Sequence, residues 1–238
     1  MKVATAAMFL ALFNFAQGQA VAPDGHVMRT GGSKQAVAGV RIESSFSYPE
    51  FGRRLRVSGT ANPSLRRTAE QIHRNFLNEA NAKAKSLSGR MTGPLTSHVG
   101  TKVHFESNDL VSVQFVIYQY LGAAHGMTRF ETRTFGRVGG RVRELNLSDF
   151  FGPGTDVAGL LGPKILAKAK QNEAALWVRE GKVTKLGAQD LRSFAAYRGG
   201  LIFFFEPYVL GPYSSGTFEI RVPANELGPS FRRSLLNR

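Results

Sequence analysis

Residues 111–126 read VSVQFVIYQYLGAAHG, an apolar run that ends in a loop of small residues with one histidine. The run repeats every two residues, with one set of apolar side chains at Val111, Val113, Phe115 and Ile117. β-branched and aromatic residues with this period predict a β-strand that is covered on most of both faces. We expect the rest of the chain to pack around this strand, and residues 128–137 to complete a hairpin with it.

A second apolar strand is predicted near the C-terminus. Residues 200–206 read GLIFFFE, and they are followed by PYVLGPY at residues 207–213 and GTFEIRVPANEL at residues 216–227. Apolar side chains occupy both parities of the first segment, which predicts a strand in the middle of a sheet.

The order of these parts resembles the domain-of-unknown-function family 3298, found outside the membrane in RsiV-type anti-sigma factors and beside PdaC-type peptidoglycan deacetylases. A strand, a Tyr-Pro turn and an amphipathic helix within residues 39–93 resemble the small unit that usually precedes this domain. Pattern and resemblance together predict an α+β fold in one compact two-part module. An antiparallel β-sheet would carry two main helices, at residues 63–86 and 163–172.

The chain divides into four predicted parts. Residues 1–20 carry one early charge, Lys2, before an uncharged apolar stretch that is too short to span a bilayer and ends in small residues. This predicts a secretory signal peptide cleaved after Ala20, or alternatively after Gly18, and an exported protein, periplasmic or extracellular, without a transmembrane segment. A flexible lead at residues 21–38, the small unit at 39–93 and the main domain at 94–238 follow.

The small unit is predicted to contain two strands and one helix. The strands are expected at residues 40–47 and near residues 54–58. Asn62 followed by Pro63 is a typical helix start, a capping residue before proline at the first helical position. The helix would bury a stripe of apolar residues, Leu65, Ala69, Ile72, Phe76 and Ala80.

The composition is basic and lacks cysteine. Lysine and arginine number 31 against 17 acidic residues, a formal net charge of +14 that falls by one when Lys2 is removed. This excess favours a partner with anionic groups, such as an envelope polymer or cell-wall material. A solvated surface is the alternative, because no run of like charge reaches about five residues. Without cysteine, disulfides and thiolate chemistry are excluded.

Recognisable catalytic and cofactor motifs are absent from the sequence. The five histidines show no metal-binding spacing, so neither a metal nor another cofactor is expected. Nucleophile, phosphate-binding and dinucleotide motifs are also missing. The family's deacetylase partner requires an aspartate and paired histidines on a metal, which nothing in this chain matches, so that activity is not implied.

His125 is the sharpest single candidate for a site. A histidine at the end of a buried strand could present a ring nitrogen to a ligand, although we favour a ring that bonds nearby backbone and holds the loop. Tyr208 and Tyr213 resemble the family's aromatic loop and could cap the loop of His125 or stack on a sugar ring. In the family this loop often reads Gly-Gly-Ala-His-Gly, and Ala123 stands at the second glycine here.

A basic face is the other candidate. Arg129, Arg133 and Arg137 share one parity of a predicted strand, and Arg141 and Arg143 follow on the next arm. The alternative is a solvated edge that discourages association between sheets. Specific nucleic-acid binding is not expected, because no aromatic residues interleave with these arginines.

The leading hypothesis is a non-catalytic binding or sensing module of the cell envelope, whose ligand is an anionic envelope polymer, a cell-wall glycan or a lysozyme-like protein. The last follows from the resemblance to RsiV-type proteins and ranks lower, since lysozymes of the animal type are themselves basic. One rival is a cell-wall hydrolase that uses His125 with Asp149, Glu206 or a tyrosine. Another is a nonspecific binder of lipopolysaccharide or DNA, whose affinity would fall steeply with salt.

Overall fold

The computed structural model describes residues 25–91 and 93–237. The predicted signal peptide, with both alternative cleavage sites, lies outside the described residues, as do residues 21–24 of the predicted lead.

The described residues form the following strands and helices in chain order. They are β1 (Val27–Val37), β2 (Val40–Glu50), α1 (Ser58–Leu87), β3 (Leu95–Glu106), β4 (Leu110–Tyr120), β5 (Met127–Val138), β6 (Arg141–Glu144), α2 (Val157–Lys170), α3 (Leu176–Arg179), β7 (Phe194–Tyr197), β8 (Gly200–Phe205) and β9 (Phe218–Pro223). Single 3-10 turns lie at Leu147–Phe150, Tyr213–Ser215 and Arg233–Leu235.

The strands form two sheets. One has six strands in the order β1-β2-β3-β4-β5-β6, and the other has three in the order β7-β8-β9. All neighbours pair antiparallel except β2 and β3, which run parallel. The α+β class is therefore right, but the single antiparallel sheet is corrected. Because α1 returns the chain to the end of the sheet from which β2 started, β3 must run beside β2 in the same direction.

Strand β4 lies at the centre of the packing, as predicted. Its residues Val111, Val113, Phe115 and Ile117 are buried in one cluster with three residues of the α1 stripe, Leu65, Ala69 and Ile72. Its opposite face meets the second sheet, where the Ser112 hydroxyl accepts a hydrogen bond of 2.9 Å from the backbone N–H of Ala196. The layers are thus α1, the six-stranded sheet, the three-stranded sheet and α2.

Helix α1 begins earlier than predicted. It starts at Ser58, so the strand expected near residues 54–58 is wrong, and Pro63 lies inside the helix. Asn62 is not its cap, because the Asn62 side chain instead bonds both the N–H and the C=O of Phe51, each at 2.9 Å. The buried stripe was predicted correctly, since Leu65, Ala69, Ile72, Phe76 and Ala80 are all buried.

The prediction of a flexible lead needs correction where the residues are described. Residues Val27–Val37 form β1, which pairs along its whole length with β2. Gly31 and Gly32 break the apolar pattern for a packing reason. A Cβ on Gly31 would lie 2.4 Å from the ring of Phe46, and one on Gly32 would lie 2.3 Å from the carbonyl oxygen of Ser44.

The second sheet carries the C-terminal core. In β8, Leu201, Phe203 and Phe205 face the α2 side, whereas Ile202 and Phe204 face the first sheet, and β8 is the middle strand as predicted. Helix α2 runs from Val157 to Lys170 without a break at Pro163. The boundary between the two predicted units, expected at residue 93, lies between β2 and β3 in the chain, and these two strands pair in one sheet. The division into two units stays a prediction.

Candidate functional site

The loop between β4 and β5 holds His125 at the surface. The turn at Gly122 has a positive φ of 81°, which glycine adopts without strain. The His125 ring is exposed, and its Nδ1 donates to the carbonyl oxygen of Gly126 at 3.2 Å. The imidazole thus has a backbone partner and still presents one face of the ring outward.

Tyr213 lies in the loop between β8 and β9 and packs against the loop of His125. Its ring stacks on His125 with 3.7 Å between centroids and 21° between planes. Its hydroxyl donates to the carbonyl oxygen of Gly126 at 2.8 Å. Burial raises the pKa of the Tyr213 hydroxyl, and the neighbouring phenols of Tyr118 and Tyr208 raise it further. Tyr213 is therefore a neutral donor that fixes the loop.

Tyr208 and Trp177 extend the ring stack. The ring centroid of Tyr208 lies 6.0 Å from that of Tyr213 and 6.3 Å from that of Trp177. Tyr208 is 48% exposed and has a φ of 70°, uncommon for a residue other than glycine. We call His125, Tyr213, Tyr208 and Trp177 the aromatic row. Trp177 was not predicted as a site residue. The sequence feature that could have pointed to it is that it is the single tryptophan of the chain.

The carboxylates considered as partners of His125 lie elsewhere. Asp149 forms a bidentate pair with Arg143, at 2.6 and 2.8 Å, and accepts a hydrogen bond from the backbone of Asn146. The Arg143 guanidinium is the main reason why the pKa of Asp149 lies below its usual range. The Glu206 carboxylate accepts from the backbone N–H of Phe130 at 3.1 Å. Neither is hydrogen-bonded to His125 in the described part of the chain.

The predicted basic face lies on β5, where each of the three arginines has a partner. Arg129 bonds Gln119, and Arg133 bonds Glu131, reaches Glu144 at 3.5 Å and donates to Thr68 of α1 at 3.2 Å. Arg137 donates to the carbonyl oxygen of Gly140 at 3.4 Å. Binding of a ligand by Arg129, Arg133 or Arg137 stays a prediction, as it does for His125, Tyr208 and Tyr213.

The other histidines each bond a different polar side chain. The pairs are His26 with Glu106, His73 with Ser44, His98 with Ser45 and His104 with Gln114, at 2.8 to 3.0 Å. Within residues 25–91 and 93–237, no three His, Asp or Glu side chains cluster as ligands for a metal ion. In the same residues, none of the helices has the length and apolar content that crossing a membrane requires.

Two family models match the chain. The model described as a protein of unknown function, DUF3298, matches residues 148–225, and the model described as deacetylase PdaC matches residues 40–128. No curated protein matches the chain.

Solved structures of the DUF3298 family share the fold. A Pseudomonas aeruginosa protein matches with a TM-score of 0.60 and 18% identity, over 87% of this chain and 95% of its own. A Bacteroides fragilis member matches with a TM-score of 0.52 and 13% identity, over 88% of this chain and 95% of its own. Residues 148–225 are therefore similar to the DUF3298 family of proteins of unknown function, and residues 40–128, which precede them, are similar to the PdaC model.

Proposed function

We propose that the protein is an exported, non-catalytic binding module of the cell envelope, and that the aromatic row takes a cell-wall glycan. The observation that carries this proposal is the succession of four neighbouring rings, each within 3.7 to 6.3 Å of the next, of which Tyr208 is 48% exposed. Aromatic faces stack on the apolar C–H face of a sugar ring, and Tyr and Trp keep a polar edge for its hydroxyls. A row of such rings suits successive sugars of one chain.

The polar groups around the row support binding rather than hydrolysis. General acid–base cleavage of a glycoside requires two carboxyl groups on either side of the bond. The candidates Asp149 and Glu206 are held by Arg143 and by the Phe130 backbone, and His125 bonds the Gly126 carbonyl. The residues of the row therefore offer surfaces and hydrogen bonds, and neither Asp149 nor Glu206 is hydrogen-bonded to His125 in the described part of the chain.

The binding test uses the mature protein with purified peptidoglycan sacculi and soluble chitooligosaccharides. We expect Tyr208→Ala to weaken binding about tenfold or more, because truncation of an aromatic anchor removes most of its contact surface. Tyr197→Ala is the matched control, since Tyr197 lies on β7 beneath Arg221 and away from the row. Equal binding by both variants would refute the glycan site.

The same samples separate the rival functions. Binding of lipopolysaccharide or DNA that falls steeply between low and physiological salt would favour a nonspecific electrostatic binder, consistent with the net charge of +14. Binding of a lysozyme of the animal type would favour a lysozyme-like protein as the ligand. Release of soluble sugar fragments that stops in His125→Ala would establish the hydrolase in place of the binding module.

Export is a proposal that rests on residues 1–20. Mass spectrometry of the protein recovered from a periplasmic fraction or the medium would give its N-terminus. We expect a chain that begins after Ala20 or Gly18. Recovery of the uncleaved chain from the cytoplasm would contradict export.

A further inference from the structure

Strand β5 is paired along only part of its outer edge. It spans twelve residues, and β6 pairs with four of them, from Phe135 to Val138. The backbone N–H of Leu145 still reaches the carbonyl oxygen of Thr134 at 2.7 Å. Beyond that point, no strand among the described residues lies beside β5 on this side.

The direction of the backbone groups shows which positions are open. Arg137 donates towards the β4 side, to the carbonyl oxygen of Asp109, whereas Thr134 accepts on the β6 side. Even-numbered residues of β5 therefore point their N–H and C=O groups outward, because these groups alternate along a strand. Thr128, Phe130 and Thr132 share this parity. We call their outward side the free edge.

Side chains replace a neighbouring strand at one position of the free edge. The N–H of Phe130 donates to the Glu206 carboxylate at 3.1 Å, and its carbonyl accepts from the Ser193 hydroxyl at 3.4 Å. The backbone groups of Thr132 and Thr128 have no corresponding side-chain partner among the described residues. A free edge of this kind is the site at which an extended chain adds to a sheet.

A groove of about 660 Å³ follows the free edge. One wall comes from α1, with Ile72, Phe76 and Glu79, and the other comes from residues 192–194 at the start of β7. These walls rise on both sides of β5. Such a groove suits a single extended segment.

The groove has more acidic than basic side chains, whereas the whole chain is basic. Four carboxylates line it, at Glu79, Glu131, Glu144 and Glu206, against three guanidinium groups. The chain as a whole carries a formal net charge of +14. We propose that the free edge of β5 binds an extended peptide segment with basic side chains, which adds as a strand in line with β6. Glu79 would face its lysines or arginines, because Glu144 already pairs with Arg133. This site is separate from the aromatic row and does not depend on the proposed glycan binding.

The probe is an acetylated and amidated heptapeptide in which lysine alternates with valine, titrated into nitrogen-15-labelled mature protein. We expect saturable shifts of the amide signals of Thr128 and Thr132. A matched peptide with alternate backbone amides methylated should bind at least about tenfold more weakly, because it lacks the main-chain donors that would face β5. A peptide with glutamate in place of lysine should also bind more weakly.

Variants of the protein locate the site. Thr132→Pro removes an outward N–H, which an edge strand tolerates, and should abolish the shifts. Glu79→Gln should weaken binding severalfold with the fold unchanged, and Glu173→Gln, in the exposed turn after α2, is its matched control. Tyr208→Ala should leave peptide binding unchanged.

Several outcomes would overturn the proposal. They are the absence of shifts at millimolar peptide, equal affinity for the methylated peptide, shifts confined to residues away from β5, and concentration-dependent dimerisation through β5. The methylated peptide keeps the test decisive even if Thr132→Pro does not fold.

Discussion

The Tyr213 hydroxyl donates a hydrogen bond of 2.8 Å to the carbonyl oxygen of Gly126, a residue 87 positions earlier in the chain. The same tyrosine stacks on His125. One side chain from the loop after β8 therefore fixes the loop between β4 and β5, and the aromatic row exists only when the two sheets are packed together.

Replacing Tyr213 by phenylalanine tests this link. We expect Tyr213→Phe to lower the free energy of unfolding by about 1 kcal/mol, because the ring stack remains and one hydrogen bond is lost. Amide hydrogen exchange in residues 122–126 should accelerate. Tyr197→Phe is the control, because Tyr197 pairs with Gly200 at the start of β8, whereas Tyr213 follows the end of that strand. Unchanged exchange in the loop would contradict the role assigned to the hydroxyl.

Asn62 is expected to stabilise the segment before α1. Its side chain satisfies both backbone groups of the buried residue Phe51. Asn62→Ala should therefore destabilise the protein by about 2–3 kcal/mol in urea unfolding, since two polar groups lose their partners. Asn62→Asp keeps the acceptor and loses the donor, so its effect should be intermediate. If the alanine variant lost only a few tenths of a kcal/mol, the hydrogen bonds would not matter to stability.

A pair of glycine substitutions tests whether β1 is a formed strand. Gly32→Ala should destabilise the protein, because the new Cβ would lie 2.3 Å from the carbonyl oxygen of Ser44. Gly59→Ala, in α1 with nothing near its Cβ position, should stabilise by up to about 1 kcal/mol through helix propensity. Thermal unfolding of both variants gives the comparison. Equal and small changes in stability would indicate that residues 27–37 are a flexible lead, as the sequence suggested, and not a formed strand.

His104 should make stability depend on pH. Burial lowers the pKa of His104 below its ordinary value of 6.5. The unfolded chain therefore takes up the proton at a higher pH than the folded protein does. The free energy of unfolding should fall as pH drops below about 6.5, and level off once the folded protein is also protonated.

Unfolding measured from pH 7.5 to pH 5 in wild type and His104→Gln checks this expectation. The variant should lose part of the pH dependence. His73→Gln should remove a further part, because burial, and secondarily the charge of Arg74, lowers the pKa of His73 as well. Parallel curves for wild type and both variants would show that neither imidazole is responsible.

The central strand and the helix stripe could be predicted because their patterns are local. The alternation in β4 and the spacing of Leu65, Ala69 and Ile72 reflect which side chains each element buries. The start of α1 could not be predicted, because Asn62 and Pro63 look like a cap and a first turn, while Asn62 in fact bonds Phe51. β1 was missed because its two glycines accommodate β2 and remove the periodic signal.

The residues of the candidate site could also be predicted only in part. His125 stands out in sequence as a histidine at the end of a buried strand, and Tyr208 and Tyr213 were identified through the family resemblance. Trp177 belongs to the short helix α3, far from His125 in sequence, and joins the row through its contact with Tyr208. The sequence predicted that the arginines of β5 form a basic face. In the structure Arg133 pairs with two carboxylates, Glu131 on the same strand and Glu144 on the neighbouring strand β6.

The parallel pairing of β2 with β3 has a consequence for how the protein assembles. Strands β3 to β6 follow one another through short connections, whereas β2 meets β3 only after the thirty residues of α1. Short connections close at the smallest entropic cost, so we expect the β3–β6 meander to form early and the β1–β2 hairpin to dock late. Of the described strands, the two that are synthesised first would then be among the last to reach their final positions.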